Sequence, residues 1–227
     1  MKTNVAGILT TALVFLAACQ AIADDAIETT PVEKLDDGRY SIGAITVDRR
    51  AASFSVPGKI LHLTDALEYL AVAREGMKEY ESLLELATSP ADFNLACILL
   101  GLDDENSIKP RYQFDDRDAE GQAVEISLSW EQAGKLVTID GANALMAGDE
   151  AFEDDSWVYI GSMTGNYGKE FMADAGGTLI GFVHDPYSVI DHRKGAGIGN
   201  YGLVTGNEEV LPPVGTAITL TISVVTE

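Results

Sequence analysis

Glu81 and Ser82 are the residues of this chain best placed to do chemistry: an adjacent carboxylate and hydroxyl in the run Tyr80-Glu81-Ser82-Leu83-Leu84. A glutamate can serve as a polar contact or a base, and a serine can hydrogen-bond a ligand or attack it. Attack requires an activating base and an oxyanion hole. The sequence has no strand-turn-helix elbow of the Gly-x-Ser-x-Gly type, and Gly161-Ser162-Met163-Thr164-Gly165 has the wrong spacing. The pair is therefore expected to bind a ligand or to pin its segment against a neighbouring helix. Hydrolysis from a pocket holding Glu81, Ser82 and Asp174 is the alternative. Trp157, Ser162 and Asp174 complete the candidate binding set, with Trp157 equally at home in a core because its neighbours are strand formers.

Metal and cofactor signatures are weak. His184-Asp185 and Asp191-His192 would bring two imidazoles and two carboxylates together if the intervening residues fold back. A catalytic zinc takes three such ligands and an open position, and no HExxH pair is present. Asp116 to Gly121 imitates the start of a calcium loop, but Ser127 stands where the twelfth-position glutamate is needed. Gly195-x-Gly197-x-Gly199 lacks the strand, lysine and helix of a phosphate cradle. The two cysteines, Cys19 and Cys97, cannot build an iron-sulfur cluster, which takes four thiolates. Cys97, inside the apolar run Phe93 to Leu102, reads as a small core residue rather than a nucleophile. No metal, cofactor or catalytic residue is expected.

The formal net charge of -21 repels nucleic acid and anionic headgroups, so neither is an expected partner. The N-terminus sets the location. Lys2 precedes an apolar stretch, Val5 to Ala18, of about 14 residues, a length typical of secretory signals and short of the roughly 20 needed to span a bilayer. Leu16-Ala17-Ala18-Cys19 is the pattern that bacterial lipoprotein processing cuts before an acylated cysteine. The expectation is a lipid on Cys19, membrane attachment through it, and, with Gln20 following, sorting to the outer membrane of a Gram-negative cell. Ala21-Ile22-Ala23 offers ordinary signal-peptidase cleavage after Ala23 as the alternative, giving a soluble periplasmic protein. The chain divides into a signal (1–18), an acidic tether (19–37) and one domain (38–227).

Positioning falls to the elements of that domain. Val124 to Trp130 alternates apolar and polar residues, and Lys135 to Ile139 completes a hairpin with it. Ala44 to Val47 and Ser53 to Val56 read as short strands, the second ending at Pro57-Gly58. Trp157 to Ile160 and Thr178 to Val183 are apolar on both faces, as central strands are. Ile218, Leu220, Ile222 and Val224 alternate with hydroxyl residues. Residues 64–87 favour helix by propensity; the hairpin alternative pairs Leu67 to Ala73 with Glu79 to Leu86 and is preferred. Ser89, Pro90 and Asp92 cap one helix that runs to a stop at Gly101. Asp103 to Glu120 and Gly148 to Asp155 are long acidic loops. The expected fold is a single α+β domain, a largely antiparallel β-sheet with one buried helix.

Ordered short blocks across residues 40–225 resemble the YdjY-domain family of exported bacterial proteins. They are Phe54-Ser55-Val56-Pro57-Gly58, Leu67-Glu68-Tyr69-Leu70-Ala71-Val72, Tyr80 to Leu84, Trp157 to Ser162, Ala173-Asp174 with Gly176-Gly177, Asp185-Pro186, and Pro213 with Gly215-Thr216. The resemblance implies a signal-bearing, single-domain protein without an assigned activity. Family members often carry histidine where this chain has Tyr80, so a metal or proton-transfer role for that histidine does not carry over. The expected function is a non-catalytic binding or interaction module of the cell envelope, with an envelope protein as a further possible partner.

Overall fold

The computed structural model describes residues 29–225 apart from 153, 166, 167 and 169. The signal segment, Cys19 and the first part of the tether lie outside the described residues. The later part of that tether segment is held to the domain. Val32–Lys34 pairs with Tyr40–Ile42, and the Thr30 amide and hydroxyl both donate to the Asp92 carboxylate, at 2.6 and 2.7 Å.

Eight strands form a ring: β1 (Ser53–Ile60), β2 (Tyr69–Ala73), β3 (Ser82–Leu86), β4 (Gln122–Gln132), β5 (Trp157–Tyr159), β6 (Thr178–Gly181), β7 (Ile190–His192) and β8 (Ala217–Val224). Around the ring the order is β1-β8-β4-β5-β7-β6-β2-β3, and β3 returns to β1 through Gly58 opposite Leu86. The expected α+β domain, a largely antiparallel β-sheet with one buried helix, is thus corrected to a mostly β protein with a closed eight-stranded barrel. Only one substantial helix accompanies it among the described residues, α1 (Pro90–Leu99); α2 (Met172–Gly176) is little more than a turn.

Two local differences produce the closure. The expected hairpin over 67–86 is instead a parallel pair, Tyr69 opposite Ser82 and Ala71 opposite Leu84. Residues 74–81 run back alongside the strands before β3 begins, a connection shorter than the dozen residues a parallel crossover usually takes. Turning β3 this way leaves its far edge free to meet β1. Second, Pro57-Gly58 does not stop β1, which continues to Ile60. Gly58 lies at the seam, where a Cβ would run into the Glu85 carbonyl oxygen. Closure removes the unpaired edges an open sheet would leave.

Elsewhere the alternating patterns set the faces directly. Phe54, Val56, Ile126, Leu128, Leu220 and Ile222 are buried, while Ser55, Ser127, Ser129, Thr219 and Thr221 form a half-exposed hydroxyl face. In α1 the Ser89 hydroxyl accepts from the Asp92 amide at 3.1 Å, Pro90 opens the first turn, and Phe93 meets Phe54 edge to face at 5.2 Å. Cys97 is buried there, and burial pushes its thiol well above the ordinary range.

Candidate functional site

The parallel pairing of β2 with β3 assembles the site. It sets Glu68 beside Glu81, the Glu68 amide donating to the Glu81 carbonyl at 2.9 Å. The return segment brings Lys78 to the same place, where its ammonium donates to Glu81 Oε1 at 2.6 Å and lies 5.6 Å from the Tyr69 ring centroid. Two further loops converge on it. Between β6 and β7 the chain folds back so that Asp185 accepts from the Tyr69 hydroxyl at 2.8 Å and from the Tyr187 amide at 3.0 Å. The acidic loop 103–120 contributes Gln113, whose amide donates to Glu68 Oε2 at 2.9 Å.

Electrostatics follow from burial. Glu68, 5% exposed, has its carboxyl pushed up to about 7, first by burial and then by the Glu81 charge beside it, with Lys78 opposing. Burial also raises Asp185, against the hydrogen bonds from Tyr187 and Tyr69 that favour its ionised form. Behind it Asp191, fully buried, is raised well above the usual range by burial, although it accepts from the Asp185 and His192 amides at 3.1 and 2.9 Å. Burial disfavours the Lys78 charge, but the hydrogen bond to Glu81 and the attraction of the negative charges around it together outweigh burial, and the ammonium is raised.

Beside this cluster opens a cleft of about 450 Å³. Met77, Met163, Tyr112, Pro186 and Tyr187 supply its apolar walls, and Lys78, Arg111, Gln113 and Asp185 its polar lining. Arg111 is tied to the buried Asp115 at 2.5 Å, and Arg117 reaches the same carboxylate at 3.1 Å. Those guanidinium hydrogen bonds hold Asp115 far below the usual carboxylate range.

The five residues singled out from the sequence are not gathered in one place. Glu81 and Ser82 lie in the buried cluster, with the Ser82 hydroxyl donating to the Lys78 carbonyl at 2.6 Å. Ser162, at φ +59°, stands behind the cleft wall, its hydroxyl donating to the Tyr187 carbonyl at 2.8 Å while Lys109 donates to its own carbonyl. Trp157 is in the core, its ring 5.2 Å from that of His192 and its indole donating to Asp155 at 2.6 Å. Asp174 is exposed beside a separate hollow lined by Arg74, Thr88 and Ser89. His184 and His192 do approach through the fold-back, yet their rings face backbone carbonyls: Asp115 at 2.6 Å and His192 at 3.0 Å for His184, Asp154 at 2.9 Å for His192. Among the described residues no group of three or more His, Cys, Asp or Glu side chains is arranged to hold a metal ion.

Glu68, Tyr69, Lys78 and Gln113 were not apparent as site residues from spacing, and Asp185 and Asp191 stood out only as metal-ligand candidates beside His184 and His192. A signal was present, since Glu68 and Asp191 each interrupt an apolar run with a carboxylate that the neighbouring residues force inward. Leu67 to Val72, Tyr80 to Leu84 and Asp185-Pro186, remote in sequence, are the segments that meet here. A family model described as the YdjY domain matches residues 45–223, so the chain belongs to the YdjY domain family. No curated protein and no solved structure matches it.

Proposed function

We propose that this YdjY-domain protein is a non-catalytic binding module of the bacterial cell envelope, taking its ligand in the cleft beside Asp185 and Lys78. One observation carries the reading: the serine and threonine hydroxyls in the cleft wall and behind it are already committed. Ser82 donates to Lys78, and Ser162 and Thr178 both donate to the Tyr187 carbonyl. Such oxygens hold walls in place, and each donates to a backbone carbonyl rather than to a carboxylate or imidazole that could activate it. The cleft itself has the size and mixed lining of a small-molecule site. A fluorophosphonate probe is expected to leave Ser82 and Ser162 unlabelled, while small-fragment binding moves the methyl NMR signals of Met77 and Met163. Serine labelling, or fragments that bind only elsewhere, would overturn this.

Glu68 favours a second reading, an acid–base enzyme of hydrolytic type. A carboxyl that titrates near neutrality beside a second carboxylate is the arrangement proton transfer requires. On that reading Glu68→Gln abolishes turnover; on the first it leaves fragment binding intact.

Attachment to the envelope rests on Leu16-Ala17-Ala18-Cys19, with lipid on Cys19 anchoring the domain at the membrane, the outer one in a Gram-negative cell. Cleavage after Ala23 would release the same domain into the periplasm. Palmitate incorporation that Cys19→Ser abolishes supports the anchor; a wild-type protein that takes up no palmitate rules it out.

A further inference from the structure

We propose that the cleft recognises an organic cation, an ammonium group set against Asp185 and the Tyr187 ring with its apolar body on Met77 and Met163. The proposal rests on the cleft being the binding site and names the ligand class. Of the charged residues lining it, Lys78 has Glu81 at 2.6 Å and Arg111 has Asp115 at 2.5 Å. Asp185 alone is without a counter-ion: among the described residues no Lys, Arg or His lies within ion-pair distance of it. Its oxygens are held by a phenol and an amide, both neutral donors, and Lys78 acts on its charge only from beyond ion-pair distance. An uncompensated carboxylate in a partly dry site gains most from a ligand that brings the missing positive charge. Burial already raises the Asp185 carboxyl, in keeping with that missing partner.

The walls fit the same ligand. Aromatic faces around the cluster already hold cations, Arg111 over Tyr112 at 5.2 Å and Lys78 near Tyr69 and Tyr80 at 5.6 and 6.0 Å. Tyr187, 40% exposed at the cleft, holds none among the described residues. An ammonium ion draws on such ring faces as well as on the carboxylate, and the thioethers of Met77 and Met163 adapt to varied apolar bodies. The net charge of -21 concentrates cations around the molecule before they reach the cleft. An anionic ligand, by contrast, would meet cations whose charge Glu81 and Asp115 already neutralise.

The test uses the mature protein with methyl-labelled methionine and three probes: benzyltrimethylammonium, benzyl alcohol and phenylacetate. Benzyltrimethylammonium is expected to shift the Met77 and Met163 methyl signals saturably, and to bind about tenfold or more tighter than either analogue. Asp185→Asn should weaken it by about tenfold, a typical loss for one charge-assisted contact. Tyr187→Ala, at an exposed position, should weaken it several-fold and covers the case in which the first variant does not fold. Benzyl alcohol or phenylacetate binding at these methyls as tightly as the cation would overturn the ligand class while leaving the cleft as the binding site. No response of either methyl to any of the three would overturn both. Undiminished cation binding by folded Asp185→Asn would likewise overturn the proposal.

Discussion

Replacing Glu68 with glutamine removes a titrating carboxyl while keeping the shape that β2 and the 103–120 loop pack around. The buried carboxyl titrates near 7 against an ordinary 4.5. The folded protein therefore holds this proton more tightly than the unfolded chain. Its contribution to stability is fully present below 4.5 and is lost as pH rises through 7. At 1.36 kcal/mol for each pH unit, the full difference is about 3 kcal/mol, an upper bound because solvent at the neighbouring cleft screens the charge. The glutamine side chain can still accept from Gln113 and present an amide to Glu81. Glu68→Gln is thus expected to match the wild type at pH 5 and to exceed it by about 1 to 3 kcal/mol at pH 8. Urea denaturation of both proteins at several pH values measures this, and the difference between them cancels contributions shared with Asp185 and Asp191. A difference that stays constant from pH 5 to pH 8 would refute the burial argument.

Gly58→Ala places a Cβ against the Glu85 carbonyl at the barrel seam and should lower stability by about 2 kcal/mol or more, read as a fall in the thermal midpoint. Tyr69→Phe deletes the hydroxyl that donates to the buried Asp185 and should cost about 1 to 3 kcal/mol in urea denaturation, with the far-UV spectrum unchanged. Cys97 should resist a thiol reagent in the native protein and react as urea unfolds it, since burial raises the thiol; rapid native-state labelling would place it outside the core.

Local rules were enough for much of the fold. Ser89 and Pro90 announce α1 because capping chemistry is confined to a few neighbouring residues. Strands β4 and β8, and the hairpin partner Lys135–Asp140, follow from period-two alternation alone. The barrel does not follow from such rules. Alternation fixes which face of a strand is buried and is silent on whether the sheet ends or closes. Closure depends on Gly58 meeting Leu86, a contact between segments whose own patterns are compatible with an edge. The parallel register of Tyr69 with Ser82 was hidden for the same reason: a short connection rich in charge and glycine reads as a hairpin turn. Glu81-Ser82 stood out as a sequence pair, whereas Glu68, Gln113 and Asp185 acquire their chemistry only where three loops meet. Asp115, in a stretch read as a long acidic loop, is buried because Arg111 and Arg117 neutralise it.

Site-resolved carbon-13 NMR of the Glu68 carboxyl, followed through a pH titration of the folded protein, tests most directly whether the closed barrel gathers Glu68 and Glu81 into one buried cluster. A midpoint near 7 is predicted. A midpoint at the ordinary value of about 4.5 would contradict it, because a glutamate that titrates as it does in water is neither buried nor beside a second carboxylate.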